Sequence, residues 1–274
     1  MLECVINISE GCRTDVVASI GAAAGTCLLD THLDAHHNRA VLTLAGRDDE
    51  LHEAVHAVVR ASVDLLDLTT HAGVHPRIGV VDVVPWVDLR HLDAPWTPAS
   101  LGARDVTGRW MAEALAVPCF AYGPERTLPS VRRQAWTSLA PDRGPTAPHP
   151  TAGATAVGAR GALVAFNVWL RGNDLTTARS VATAIRRPGL RTLGLLVGGR
   201  TQVSCNLTAP SMLGPDAAFD LVVARASAAG AAVEGAELVG LLPDSVLQSI
   251  ATRRWKELDL SPERTIEARL ASTG

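Results

Sequence analysis

The chain has almost no lysine. Lys256 is its one lysine, and every other basic residue is arginine. Schiff-base chemistry, pyridoxal phosphate catalysis and phosphate binding by a P-loop each need a lysine in the site. A single lysine near the end of the sequence therefore argues against these classes of enzyme.

Paired cysteines are also missing: the chain has 5 cysteines without a CxxC spacing, which supports neither a disulfide framework nor a zinc ribbon.

Long apolar runs and basic runs are absent as well. No stretch approaches the ~18 apolar residues of a membrane helix, and the N-terminus lacks the basic region and apolar run of a signal peptide. With 25 basic and 28 acidic residues the net charge is -3, so no excess of positive charge favours phosphates. We expect a soluble, cytoplasmic protein with no nucleic-acid partner and no membrane partner.

What the sequence does contain is enough apolar character for packed cores. Apolar residues make up 47% of the 274 residues and charged residues 19%, which suits one large domain or two small ones. Strand-like and helix-like stretches follow one another in the order βαββαβ up to Trp86, and again after Gly161. This order predicts an α+β fold of two ferredoxin-like (βαββαβ) subdomains, residues 1–161 and 162–274.

The first repeat also predicts where a site would form. Its strands are expected at 3–8, 27–33, 39–44 and 78–86, and its helices at 14–24 and 48–66. The connecting region 106–153 predicts a helix at 106–116, a strand at 117–122, a helix at 130–139 and a loop from 141. Right-handed connections place the loops NISEG, DAHHNR and THAGVHPR at one end of the sheet. Polar loops on a rigid scaffold are a usual place for a site.

The motif HEAVH, residues 52–56, matches the zincin pattern HExxH, in which two histidines one helical turn apart bind zinc. The apolar stripe of the same predicted helix leaves His52 and Glu53 facing water. A short motif of this kind is easily met by chance, so an ordinary amphipathic helix is the alternative.

A denser histidine cluster lies in the first predicted hairpin. Strand alternation would place residues 32, 34 and 36 on one face, as in a metal site. A turn rich in Asp, His and Asn is also an ordinary composition, so a metal site and a plain turn both stay open. The cluster consists of His32, Asp34, His36 and His37.

Two further loops have the composition of a binding site. THAGVHPR brings together imidazoles, which transfer protons near neutral pH, and an arginine, which binds carboxylates in a fixed geometry. The loop PDRGPTAPHPTAGATAVGAR combines stiff prolines with permissive glycines, which can hold backbone close to a flat ligand. A solvated connection and a linker between subdomains are the alternatives.

Taken together, these segments resemble the formiminotransferase domain family. The resemblance is carried, in order, by ECVINISEG, LLDTHLDAHHNRAV, THAGVHPRIGVVDVVPW, VPCFAYG, PDRGPTAPHPTAGATAVGAR, VAFNVWL, QVSCNL and ELVGLLP. It implies two ferredoxin-like subdomains with folate in a groove between them, and a role in one-carbon metabolism and histidine degradation. In animals the domain is fused to a cyclodeaminase; we expect here the short bacterial-type form without that domain.

The resemblance also implies site residues. The histidine of HPR, His75, corresponds to the catalytic histidine of the family, and Asn38, Arg39 and Arg77 are expected to bind substrate. The expected folate-binding residues are Gly144, Pro145, Thr146, Ala147, Pro148, His149, Pro150, Thr151, Ala152 and Gly153.

The resemblance implies transfer of a formimidoyl or formyl group between glutamate and N5 of tetrahydrofolate, which serves as co-substrate, with no metal expected. One histidine can remove a proton from the attacking amine and then return one to the leaving amine. Ile6, Ile8, His32 and Arg143 depart from the animal pattern and leave the substrate open. Two alternative functions stay open: a metal-dependent hydrolase using His32, His36 and His37, and a folate-binding protein without catalysis. A homodimer is the oligomeric state left open.

Overall fold

The computed structural model describes residues 1–73, 76–172 and 174–273. The chain divides into two compact units, Met1–Gly161 and Ala162–Ser272. Each unit is built on its own sheet and its own apolar core.

The first unit follows the predicted order of elements. Its strands are β1 (Leu2–Ile8), β2 (Leu28–Asp34), β3 (Arg39–Gly46), β4 (Val81–Asp88), β5 (Cys119–Tyr122) and β6 (Thr155–Ala159), and its helices are α1 (Thr14–Ala22), α2 (Asp48–Leu65), α3 (Pro98–Leu115) and α4 (Leu128–Gln134). The sheet order is β2-β3-β1-β4-β6-β5. Its first four strands, with α1 and α2, form the ferredoxin-like unit that the sequence predicts.

Strands β5 and β6 extend this sheet. Strand β6 pairs parallel to both β4 and β5, and the sequence analysis assigned no strand to its residues. Its sequence, TAVGA, is rich in small residues because the strand is buried along its whole length. A Cβ added at Gly158 would lie 2.0 Å from the ring of Tyr122, so the tyrosine ring occupies the space that a larger side chain would need.

The alternation of side chains along the strands explains which residues form the core of the first unit. On β1 the buried residues Cys4, Ile6 and Ile8 pack with Val55 and Val58 of α2 in one apolar cluster. Burial of each such large side chain contributes about 1.5–3 kcal/mol. Because side chains alternate along a strand, residues between these on β1 and β3 point to the opposite face of the sheet.

Helix α3 begins earlier than the sequence analysis expected. The expectation of a start at residue 106 was wrong: the helix begins at Pro98, after the N-cap Thr97. The Thr97 side chain accepts a hydrogen bond from the Ser100 backbone N–H, and the Ser100 hydroxyl accepts one from the Thr97 backbone N–H. This capping box uses serine where glutamate or glutamine is usual, which made the start harder to identify.

The second unit repeats the arrangement. Its strands are β7 (Val164–Leu170), β8 (Leu190–Val197), β9 (Arg200–Leu207) and β10 (Val233–Val239), and its helices are α5 (Leu175–Ile185), α6 (Pro215–Ala228), α7 (Asp244–Gln248) and α8 (Ile266–Thr273). The sheet order is β10-β7-β9-β8, with antiparallel pairs throughout. This is the strand order of a ferredoxin-like fold, so the predicted fold class of two such units is confirmed.

Two expectations from composition concern cysteines and membranes. All five cysteines are free thiols; Cys12 is exposed and the other four are buried. Among the helices of the described residues, none has the length and apolar character needed to cross a bilayer.

Candidate active site

The candidate residues lie at one end of the strands of the first sheet, which we call the convergent edge. Strands β1 and β2 end at this edge, and β3, β4 and β6 begin there, because β1 pairs antiparallel with β3 and β4, whereas β4 and β6 run parallel. The loop after β1, the turn between β2 and β3, and the loop before β4 therefore meet. The predicted convergence of these three loops is confirmed by their contacts.

Asn38 connects all three loops. Its Oδ1 accepts a hydrogen bond from the backbone N–H of Gly11 at 2.9 Å, and its Nδ2 donates one to the carbonyl of Ala72 at 2.8 Å. Its Nδ2 also lies 3.4 Å from His71 Nδ1. Asn38 has a φ of 48°, a left-handed conformation that asparagine tolerates better than most residues. Both ends of the amide are thus engaged by backbone.

Two glycines allow the loops to approach so closely. A Cβ added at Gly11 would lie 2.5 Å from the Asp34 carbonyl oxygen, and one added at Gly73 would lie 2.6 Å from the His37 carbonyl oxygen. At both positions the obstacle is backbone, which cannot rotate away. Arg77 also donates a hydrogen bond to the Gly73 carbonyl, which closes the loop before β4 on itself.

Glu10 fixes the loop after β1. Its buried carboxylate accepts hydrogen bonds from the backbone N–H groups of Gly11, Cys12 and Arg13, and from the Arg13 side chain at 2.6 Å. Burial alone would raise the pKa of Glu10, but the hydrogen bonds from Arg13 and Cys12 outweigh it and lower the pKa. Glu10 is therefore ionised near neutral pH.

Arg39 begins β3 beside this cluster. Its Nε is shielded from water and has no hydrogen-bond partner within the described part of the chain. Burial lowers the pKa of Arg39 to about 10, with Asp82 acting in the opposite direction and Arg132 adding to the decrease. Arg39 still carries its charge at neutral pH, so an unsatisfied donor lies at the convergent edge.

Asp82 and Arg132 anchor the loop before β4. Arg132, on α4, forms an ion pair with the buried Asp82 at 2.5 Å and donates a hydrogen bond to the Pro76 carbonyl at 2.6 Å. Asp82 also accepts a hydrogen bond from the backbone N–H of Ile78. Neither residue was predicted from the sequence, although a carboxylate within the apolar run IGVVDVVPW indicates a buried, paired charge.

The predicted folate loop lies partly at the same edge. His149 Nδ1 accepts a hydrogen bond from the Ala152 backbone N–H at 3.0 Å, which shapes the turn before β6. Backbone hydrogen bonds then join Ala152 to Val80 and Ala154 to Ile78. The loop thus runs beside the entry to β4 at Gly153, whereas Gly144 lies near Ala112 and Val117, at the end of α3.

The histidine cluster of the hairpin does not have the expected alternation. Strand β2 ends at Asp34, so His36 lies in the turn and not on the strand face of His32 and Asp34. His37 Nδ1 instead lies 2.5 Å from Asp34 Oδ2. Across residues 1–73, 76–172 and 174–273, no three His, Cys, Asp or Glu side chains form a group that could hold a metal ion.

The HEAVH motif lies on α2 as expected and Glu53 is exposed as predicted, but His52 is half-buried, so the prediction that it faces water was wrong. The His52 ring lies 4.7 Å from the Trp86 ring, and His56 stacks on Trp110 at 3.8 Å. Burial, followed by the charges of His52 and Arg60, lowers the pKa of His56 to about 4. Both imidazoles therefore pack against indole rings.

His71 has a polar environment at the convergent edge. Its Nε2 is buried without a hydrogen-bond partner among the residues that the structure describes. Burial lowers the pKa of His71, and the charges of Arg77 and Arg13 act in the same direction against Glu10. His75, the predicted catalytic histidine, lies outside the described residues.

Comparisons with known proteins identify related sequences. Residues 1–160 match the formiminotransferase domain, N-terminal subdomain. Glutamate formimidoyltransferase of Streptococcus pyogenes serotype M1 is 34% identical over 277 residues, which cover 92% of this chain and 92% of that protein. Glutamate formimidoyltransferase of Thermoplasma acidophilum is 29% identical over 282 residues, covering 92% and 91%.

A longer relative matches over part of its length. Formimidoyltransferase-cyclodeaminase of Gallus gallus is 32% identical over 286 residues, which cover 92% of this chain and 52% of that protein. The chain therefore spans about half the length of this relative. The match of a family model to residues 1–160, together with relatives of similar length, shows that the chain belongs to the formiminotransferase family.

Proposed function

We propose that this protein transfers a formimidoyl group between glutamate and N5 of tetrahydrofolate. Family membership and the similarity to glutamate formimidoyltransferases support this reaction. The structural observation that supports this reaction concerns the side chain of Arg39. Its Nε is buried and has no partner among the described residues, and it lies at the edge where three polar loops meet. A carboxylate of glutamate would complete that hydrogen-bonding environment.

The chemistry needs one proton removed and one proton supplied. N5 of tetrahydrofolate forms a bond to the formimidoyl carbon and loses its proton, and a tetrahedral centre results. The bond from that carbon to the glutamate nitrogen then breaks, and this nitrogen takes up a proton. We assign the first proton transfer to His75, which corresponds to the catalytic histidine of the family.

The binding roles follow from what each side chain can still contact. We assign a substrate carboxylate to Arg39 and, in second place, to Arg77, whose guanidinium also bonds to the Gly73 carbonyl. We assign the pterin to the loop from Gly144 to Gly153, because the part near Gly153 runs beside the entry to β4. We also propose that residues 162–274 form the C-terminal formiminotransferase subdomain. The groove between subdomains, the cytoplasmic location and the homodimer stay predictions.

Neither alternative function is favoured. The hydrolase needs His32, His36 and His37 around a metal, but His37 lies against Asp34 and His36 lies in the turn. The folate-binding protein without catalysis is an outcome of the test below.

The test is turnover by the wild type of two substrate pairs, N-formimidoylglutamate with tetrahydrofolate, and 5-formyltetrahydrofolate with glutamate. We expect His75→Ala to lose turnover by about 100-fold or more while tetrahydrofolate binding is retained. Arg39→Gln should raise the KM for the glutamate substrate, whereas Arg47→Gln, at an exposed position, should not. Binding of tetrahydrofolate without turnover of either pair would contradict the proposal and favour the non-catalytic alternative.

A further inference from the structure

The turn between β2 and β3 contains a carboxylate–imidazole pair that the proposed function does not use. Asp34 Oδ2 lies 2.5 Å from His37 Nδ1, and Asp34 Oδ1 accepts a hydrogen bond from the His37 backbone N–H at 2.9 Å. One carboxylate thus holds both the ring and the backbone of the same histidine. Two contacts of this kind fix the direction of the imidazole ring.

Asp34 of this pair lies on the same face of the sheet as Arg39. Asp34 and Arg39 are direct partners across the β2–β3 ladder, and directly opposed residues present their side chains on the same face. Ala40 and Leu42 of β3 belong to the core beneath the helices, so alternation turns Arg39 and Asp34 to the opposite face. The carboxylate that holds His37 therefore shares a face with the group assigned to bind the substrate carboxylate.

The turn that holds the pair also contacts the loop before β4 at Ala72 and Gly73. The His37 carbonyl lies 2.6 Å from the position of a Cβ at Gly73, and the adjacent Asn38 donates a hydrogen bond to the Ala72 carbonyl. The His37 side chain is 14% exposed, so the ring is held by its surroundings and still reaches solvent. A pre-oriented and partly accessible imidazole is suited to proton transfer.

The tautomer of His37 follows from its partner. Burial would raise the pKa of Asp34, but the hydrogen bonds and charge of His37, with a smaller effect of His32, lower it to about 2. Asp34 is therefore a carboxylate at neutral pH and accepts the hydrogen bond. His37 Nδ1 thus carries its proton in this contact, and proton transfer to a substrate involves Nε2.

We propose that His37, oriented by Asp34, is the acid that gives the proton to the departing glutamate nitrogen. The inference rests on the proposed function. His75 accepts the N5 proton as the new bond to the formimidoyl carbon forms. As the bond to the glutamate nitrogen breaks, its electron pair stays on that nitrogen, which takes a proton from His37, and the C=N bond forms again. One proton has then moved from N5 to glutamate, and both rings return to their starting states by exchange with solvent.

Several charged or titratable groups surround the pair and enter any pH profile. His32 and Arg39 lie on β2 and β3, and His36 is in the turn, with its ring 5.5 Å from that of His37. His71 and Arg77 lie in the loop before β4. Because all of these groups remain in His37→Gln and Asp34→Asn, a change in kcat in these two variants reports on Asp34 and His37.

The test compares wild type, His37→Gln, Asp34→Asn and the control His36→Gln. His36 has the same residue type, lies next in sequence and is exposed. We expect His37→Gln to lower kcat by about 100-fold or more, with an unchanged tetrahydrofolate Kd and an unchanged KM for the glutamate substrate. His36→Gln should retain kcat within about twofold.

Asp34→Asn supplies a readout that a merely structural role would not change. We expect this variant to lower kcat by about tenfold or more with an unchanged KM for the glutamate substrate, because an amide does not hold the imidazole ring as a charged carboxylate does. This variant also keeps the inference testable if His37→Gln fails to fold. Wild-type kcat in both variants would overturn the inference and leave the proposed function intact. A wild type inactive towards both substrate pairs would overturn the proposed function and the inference together.

Discussion

Replacing Gly153 by alanine tests how closely the predicted folate loop approaches the entry to β4. Gly153 has a φ of 71°, a conformation that costs an alanine about 1–2 kcal/mol. Its added Cβ would lie 2.4 Å from the Ile78 carbonyl oxygen and 3.0 Å from Gly79 Cα. Both obstacles are backbone, so the two segments must separate by close to 1 Å to reach a normal carbon–oxygen distance of about 3.3 Å.

That separation would break hydrogen bonds on either side of the contact. Ala154 N–H donates to the Ile78 carbonyl at 2.8 Å, and Val80 N–H donates to the Ala152 carbonyl at 2.9 Å. With about 1 kcal/mol for each bond, and the backbone strain added, Gly153→Ala should lower the free energy of unfolding by about 3–4 kcal/mol.

Gly144→Ala is the matched control. Its φ of 85° is also positive, but the nearest atoms to its added Cβ, in Ala112 and Val117, lie at 3.2 Å. We expect backbone strain alone, about 1–2 kcal/mol. In urea unfolding followed by tryptophan fluorescence and circular dichroism, the two variants should differ by about 2 kcal/mol, or roughly 1 M in midpoint. Equal losses in the two variants would refute the close approach at Gly153.

Two further changes test the connections within the first unit. Asn38→Ala removes hydrogen bonds to two loops and should cost about 2 kcal/mol of unfolding free energy; hydrogen exchange should show faster exchange of the Gly11 amide, and unchanged exchange would contradict the role of Asn38. Asp88→Asn tests a carboxylate whose pKa lies at about 2, because hydrogen bonds from Arg90 and Thr97 outweigh the effect of burial. A lowered pKa stabilises the fold above the unfolded-state value of about 4 and not below the folded-state value. The free energy of unfolding of the wild type should therefore exceed that of Asp88→Asn by about 2 kcal/mol at pH 6, and this difference should shrink between pH 4 and pH 2. A difference that stays constant with pH would contradict the lowered pKa of Asp88.

Much of the fold could be predicted because periodicity and topology agree. The predicted helix at 48–66 is α2 (Asp48–Leu65), and the predicted strand at 39–44 is part of β3 (Arg39–Gly46). The meeting of three loops at one edge followed from connection rules alone. These features depend on patterns spread over many residues, so a single unusual residue does not obscure them.

The features that could not be predicted depend on one or two residues in three-dimensional contact. Position 158 of β6 is a glycine because the Tyr122 ring fills the space beside it, and no local sequence pattern indicates that contact. The pairing of Asp34 with His37 arises because β2 ends at Asp34. A strand longer by two residues would have given the alternation expected for a metal site. Element ends are set by tertiary contacts, and here one such end decides the chemistry of the turn.

The hydrogen bonds differ among Asn38, Arg39 and Arg77, the three residues to which the family resemblance assigns substrate binding. The amide of Asn38 already forms hydrogen bonds with the Gly11 N–H and the Ala72 carbonyl, so its side chain connects the loops and has less capacity to bind a ligand. Arg77 uses one guanidinium nitrogen on the Gly73 carbonyl. Arg39 retains a buried Nε without a partner among the described residues, and such a donor is costly unless something binds it. Since Asp82 is already engaged by Arg132, the group that satisfies Arg39 is expected to be an anion from outside the first unit's core. Arg39 is therefore the position where a substrate carboxylate changes the local energetics most, and a shift in the KM of Arg39→Gln for the glutamate substrate is the direct measure of that change.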